Sequence, residues 1–113
     1  MHEVGLAGEI VDRLIEIMDE NNLTEIKSVT LRIGEATAVV PQYMLDCWPA
    51  VTEGTRIAKS ELKIEKVTAL GRCHECEEVF PILENHNRCP KCGCEDYDMM
   101  TGFEYEISDI LAR

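Results

Sequence analysis

Nitrogen donors crowd into the first three residues, Met1, His2 and Glu3. With nothing before Met1, the terminal amine, the His2 amide and the His2 imidazole lie within chelating distance, and the Glu3 amide can complete a plane. Such a set suits a square-planar divalent ion such as nickel or copper, whereas zinc gains little from it. Protons compete for these donors, because an α-amine titrates at about 7.7–8.0 and an imidazole near about 6.5, so affinity should fall with pH. The competing reading of His2 is an ordinary exposed side chain.

A second set is built from sulfur. Cys73 and Cys76, then twelve residues, then Cys89 and Cys92 repeat the two-residue gap that lets paired thiolates meet one tetrahedral ion. Pro90 and Gly93 favour a tight second turn whose amides point at sulfur. Four protein ligands leave no open position, so the expected role is a structural zinc coupled to folding of the segment. Cys94 reads as a surface thiol beside this cage and Cys47 as a small buried side chain on a helix. His74 and His86 are outer-shell or exposed groups, since the four sulfurs complete the set. A thiol oxidoreductase using Cys73 and Cys76 is disfavoured, because the cage consumes its thiolates. No other catalytic constellation is present, so the expectation is a metal carrier and not an enzyme.

The elements that must carry these residues follow from periodicity. Leu6, Ala7, Ile10, Val11, Leu14, Ile15, Ile17 and Met18 recur at helical spacing, and Asn21 and Asn22 suit a helix stop. Val29, Leu31 and Ile33 alternate with Ser28, Thr30 and Arg32 as a half-buried strand ended by Gly34. Pro41 opens a second helix, and Pro49 predicts a kink or an early end near Trp48. Leu62 and Ile64 mark a second strand running towards Leu70, and Phe103, Tyr105 and Ile107 a third. These two late strands are candidates to pair with each other, and the N-terminal residues to add a short edge strand. The expected fold is α+β, with two helices packed on a small mixed β-sheet and an inserted four-Cys zinc-ribbon-like module. Residues 1–70 with 100–113 form the larger domain and 71–99 the zinc-binding module.

Composition narrows the partners. The 113 residues carry 22 acids against 11 bases, a formal net charge of −11. Between Gly71 and Asp98, seven acids face three bases, which is wrong for a nucleic-acid-binding ribbon. The same balance disfavours anionic membranes and favours a cation or a basic protein surface. No apolar run reaches transmembrane length and no signal peptide is visible, so a cytoplasmic location is expected, where CxxC pairs serve as metal ligands.

Met1-His2-Glu3, the Arg32-Ile33-Gly34-Glu35 stretch, and Cys73-x-x-Cys76…Cys89-Pro90-x-Cys92-Gly93 followed by Gly102-Phe103-Glu104 together resemble the HypA/HybF family of hydrogenase maturation factors. The resemblance spans essentially the whole chain. It implies a nickel metallochaperone in which His2, the Met1 amine and Glu3 backbone nitrogen hold Ni(II), while Cys73, Cys76, Cys89 and Cys92 hold Zn(II). It further implies delivery to the large subunit of [NiFe]-hydrogenase with a maturation GTPase, urease maturation proteins as further partners, and a monomer or homodimer. The alternative from another class is a zinc-ribbon protein-interaction adaptor without nickel transfer.

Overall fold

A computed structural model of the chain describes residues 3–113. Its elements are α1 (Glu3–Glu20), β1 (Ile26–Gly34), α2 (Pro41–Thr52), β2 (Glu61–Val67), β3 (Leu70–Cys73), β4 (Val79–Pro81), β5 (Tyr97–Thr101) and β6 (Tyr105–Ala112). The strands form two three-stranded sheets, ordered β2-β1-β6 and β4-β3-β5, and the fold class is α+β as expected. Contacts divide the chain into two compact units. Among the described residues, one comprises 3–31, 39–65 and 106–113; the other comprises 32–38 and 66–105.

In the first unit α1 buries Ala7, Ile10, Val11, Leu14 and Met18, the apolar stripe visible in the sequence. The helix begins at Glu3, so no N-terminal edge strand forms among the described residues. It ends as the asparagines suggest. Asn22 takes a left-handed φ of 54°, and the Leu23 amide donates to the Met18 carbonyl at 2.9 Å, the six-to-one bond of a Schellman stop.

Helix α2 packs on α1 and runs through Pro49 to Thr52. Proline removes one bond and costs roughly 3 kcal/mol in a helix interior. Packing overrides that cost. Trp48 and Thr52, four residues apart on one face, are both buried. The Thr52 hydroxyl donates to the Trp48 carbonyl at 2.9 Å, and the Trp48 indole donates to Ser60 Oγ at 3.2 Å.

The expected pairing of the two late strands does not occur. Strand β1 lies between β2 and β6, so the central position goes to the segment whose residues are most buried. Even Ser28, expected on the solvent side, is only 7% exposed there. The second expected strand is also broken after Val67, and Leu70–Cys73 becomes β3 of the other sheet.

In the second unit β3 is central, antiparallel to both β4 and β5. Its small core is Cys73, Phe80, Ile82 and Cys89, with Tyr97 against it. The Phe80 and Tyr97 rings meet edge to face, 5.7 Å between centroids. Gly34 and Gly102 make a close backbone contact in this unit. A Cβ on Gly34 would stand 2.1 Å from the Gly102 carbonyl oxygen, and Gly102 itself has φ 125°.

Candidate metal centre

The sulfur atoms of Cys73, Cys76, Cys89 and Cys92 converge until all lie within 4.8 Å of one another. Two of the contacts, Cys73 to Cys92 and Cys76 to Cys89, are 3.5 Å. A tetrahedral zinc–thiolate site with bonds of about 2.3 Å has sulfur–sulfur edges of about 3.8 Å, so the donor set fits Zn(II) without rearrangement of the chain. All six cysteines are free thiols, and none of the four sits in a disulfide that would compete. The four residues belong to the second unit, where Cys73 and Cys89 are buried and Cys92 is exposed.

Two turns with one hydrogen-bond pattern build the cage. In the first, the Cys73 amide donates to Glu78 O at 2.9 Å and the Glu77 amide to Cys73 O at 3.0 Å. In the second, the Cys89 amide donates to Cys94 O at 2.9 Å and the Gly93 amide to Cys89 O at 2.9 Å. The fifth residue of each turn is left-handed, Glu77 at φ 62° and Gly93 at φ 80°.

This winding aims backbone N–H groups at sulfur and prepares thiolates. The Cys76 amide leads in lowering Cys73, with the Glu75 amide and the Cys92 thiol assisting against burial, and Cys73 is brought down to about 6. Burial opposes ionisation of Cys89, but the Cys92 and Lys91 amides outweigh it and the thiol is lowered. The turns thus favour the charged form at Cys73 and Cys89. At Cys76 and Cys92 the Glu78 and Cys94 amides also pull downward, but burial and the neighbouring thiols prevail and both are raised, Cys92 to about 12, so a cation is needed to ionise all four.

The neighbours of the cage take definite places. Cys94 stands outside the four-sulfur group, half-buried beside the small core, and its sulfur accepts the Asp96 amide at 3.3 Å. His74 pairs with Asp98 at 2.8 Å on the exposed side, which raises the imidazole pKa. His86 lies in the turn before Cys89 with φ 54° and is not part of the sulfur group.

The nitrogen donors expected on Met1 and His2 lie outside the described residues. Glu3 is the first residue of α1, and its side chain does something the sequence did not signal. It is only 5% exposed, and its carboxylate accepts the Val40 amide at 3.1 Å, at the start of α2. A buried acid thus stands where Val40, lacking a capping side chain, provides none. Cys47 is half-buried, not buried as expected. With Glu3, Val4, Tyr43 and Asp46 it lines an open cavity of about 360 Å³ between the helices. In α2 it is Met44, Trp48 and Thr52 that turn fully inward.

The family model described as hydrogenase/urease nickel incorporation, metallochaperone, HypA, matches residues 1–112. The chain belongs to the HypA family. HypA proteins are thus metallochaperones of nickel incorporation and not a class of catalysts. Among relatives, the hydrogenase maturation factor HypA of Geotalea daltonii is 35% identical over 111 residues, covering 97% of each chain. That of Rhizobium leguminosarum is 31% identical over 110 residues, again covering 97% of each. The solution structure of the Ni metallochaperone HypA from Helicobacter pylori has the same fold, with a TM-score of 0.69 at 21% identity over 99% of this chain and 97% of that one. Among the described residues, no helix is long and apolar enough to cross a membrane.

Proposed function

We propose that this chain binds Ni(II) through the Met1 amine, the His2 imidazole and backbone nitrogens up to Glu3, and delivers it during maturation of [NiFe]-hydrogenase. The observation that carries the reading is the closed four-sulfur group. A tetrahedral thiolate cage has no vacant position for a cargo ion, so nickel needs another donor set. The Met1-His2-Glu3 start, included in the family match, supplies one of the right chemistry. As the first residue of α1, Glu3 has no helical hydrogen bond from its amide to lose, and nickel there would replace only the local bond from that amide to the Glu3 carboxylate.

The division of labour is a nickel-binding part over residues 1–70 and 100–113 and a zinc module over 71–99. Cys73, Cys76, Cys89 and Cys92 hold zinc as scaffold. A donor set drawn from a chain start suits transfer, since a recipient can remove it one donor at a time. The partners on this reading are a maturation GTPase and the hydrogenase large subunit, with urease maturation as a further route. The setting is the reducing cytosol, where thiols remain available to metal.

The test is nickel titration of the zinc-loaded protein beginning at Met1, beside His2→Ala and a form with one extra N-terminal residue. Both changes should weaken nickel binding by more than about tenfold, a loss of at least about 1.4 kcal/mol, and abolish the square-planar absorption. Unchanged affinity in both would overturn the proposal and favour an adaptor that carries zinc alone.

A further inference from the structure

On a chain of net charge −11, three of the eleven bases gather around one cleft. Lys27 from β1 and Arg56 and Lys59 from the turn after α2 line an opening of about 400 Å³, together with Glu25, Ile26, Thr55 and Ala58. We propose that this cleft is a docking site for a short acidic segment, rich in Asp or Glu, of a partner protein.

The cations are available. Lys27 and Lys59 are exposed, and among the described residues neither is engaged in an ion pair. Arg56 meets Asp19 through one terminal nitrogen, Nη1, at 2.6 Å. The one acid in the lining, Glu25, is occupied by Arg113 at 3.5 Å. A carboxylate entering the cleft therefore meets two lysines outside any ion pair and an arginine that shares one nitrogen with Asp19, while the lining acid Glu25 is held by Arg113.

The turn that presents Arg56 and Lys59 is rigid. Ile57, between them, is 1% exposed. Thr55 Oγ1 donates to Thr52 O at 2.7 Å and accepts the Ile57 amide at 3.2 Å, and Ser60 Oγ donates to Ile57 O at 2.6 Å. The backbone that carries Arg56 and Lys59 is thus already ordered, and binding has only their side chains to order.

Charge also selects the occupant. A nucleic acid or an anionic membrane extends far beyond the cleft and meets the repulsion of the whole chain. A short peptide segment sits within the roughly 8 Å over which charges act at physiological salt, and sees mainly the local cations. Complementary charge of this kind fixes orientation more than it adds affinity, so the site would set the register of a partner held elsewhere by its basic surface.

The experiment uses the full zinc-loaded chain, labelled with ¹⁵N, and a tetraglutamate peptide blocked at both ends, with inorganic phosphate as a separate arm. The peptide should give saturable amide shifts at Lys27, Arg56 and Lys59, weakening as salt is raised. The double variant Lys27→Glu with Lys59→Glu should lose about tenfold in affinity, while Lys63→Glu, an exposed base of β2 outside the cleft, should lose much less. Absence of shifts at the cleft, an equal loss in Lys63→Glu, or phosphate binding as tightly as the peptide would each overturn the proposal. The nickel reading is untouched by any of these results.

Discussion

Cys94 is the residue that best separates membership of the cage from proximity to it. It lies two residues after Cys92 and packs beside the core, yet only Cys73, Cys76, Cys89 and Cys92 bring their sulfurs within 4.8 Å of one another. Cys94→Ser should therefore keep one zinc per chain. Cys73→Ser should weaken zinc by more than about 100-fold, beyond the cost of disturbing an outer-shell partner. Zinc release to a colorimetric chelator reads both. His74 offers a second test. Asp98 holds its imidazole above the ordinary value, so the charged pair exists at low pH and is lost as pH rises through the folded value. Asp98→Asn should shift the NMR titration of His74 downward. The stability change should be small, because both side chains are exposed and solvent screens the pair. An unmoved titration would show that Asp98 does not face His74 in solution.

At the scale of elements, the two knuckles are one device used twice, and the copies are not equally fitted to it. The left-handed position is Gly93 in the second turn but Glu77 in the first. Such a conformation costs a residue with a side chain roughly 1 kcal/mol relative to glycine. Glu77→Gly should thus stabilise the zinc-loaded protein by about 0.5–1 kcal/mol, offset in part by the added freedom of the unfolded chain. Gly34→Ala should act in the opposite direction and more strongly. Its methyl would stand 2.1 Å from the Gly102 carbonyl oxygen, so backbone must move. A loss of about 3 kcal/mol or more is expected, within the range for severe steric changes. Chemical denaturation at fixed zinc measures both, and a Gly34→Ala protein of normal stability would mean that this contact yields easily.

At the scale of the molecule, the two compact units draw on different sources of stability. The first has a conventional apolar core from Leu14, Met18, Val29, Leu31, Met44 and Trp48. The second has a core of two large apolar side chains, Phe80 and Ile82, beside two metal-binding cysteines. A core that small needs a metal or a disulfide to fold. A strong chelator should therefore collapse amide-exchange protection across residues 70–101 first, while the amides of α1 and α2 stay protected. Simultaneous loss in both units would show that zinc supports the whole chain. Mixing in zinc should restore the lost protection.

The linear chain is enough to define the features that depend on near neighbours. The period of Leu6 to Met18 determines an amphipathic helix, Asn22 its stop, and paired CxxC motifs a four-sulfur centre, because the partners are a few residues apart or are forced together by the same ion. Tertiary structure decided whatever depends on segments far apart. It placed β1 between β2 and β6, carried α2 through Pro49 because Trp48 and Thr52 are buried, and joined the Glu3 carboxylate to the Val40 amide across 37 positions. It also left Phe103, expected to alternate inward, 66% exposed ahead of β6, and left Cys47 at a cavity wall. Periodicity tells which side of an element is apolar, but only the packed chain determines what covers that side, and burial and hydrogen-bond partners follow from the cover.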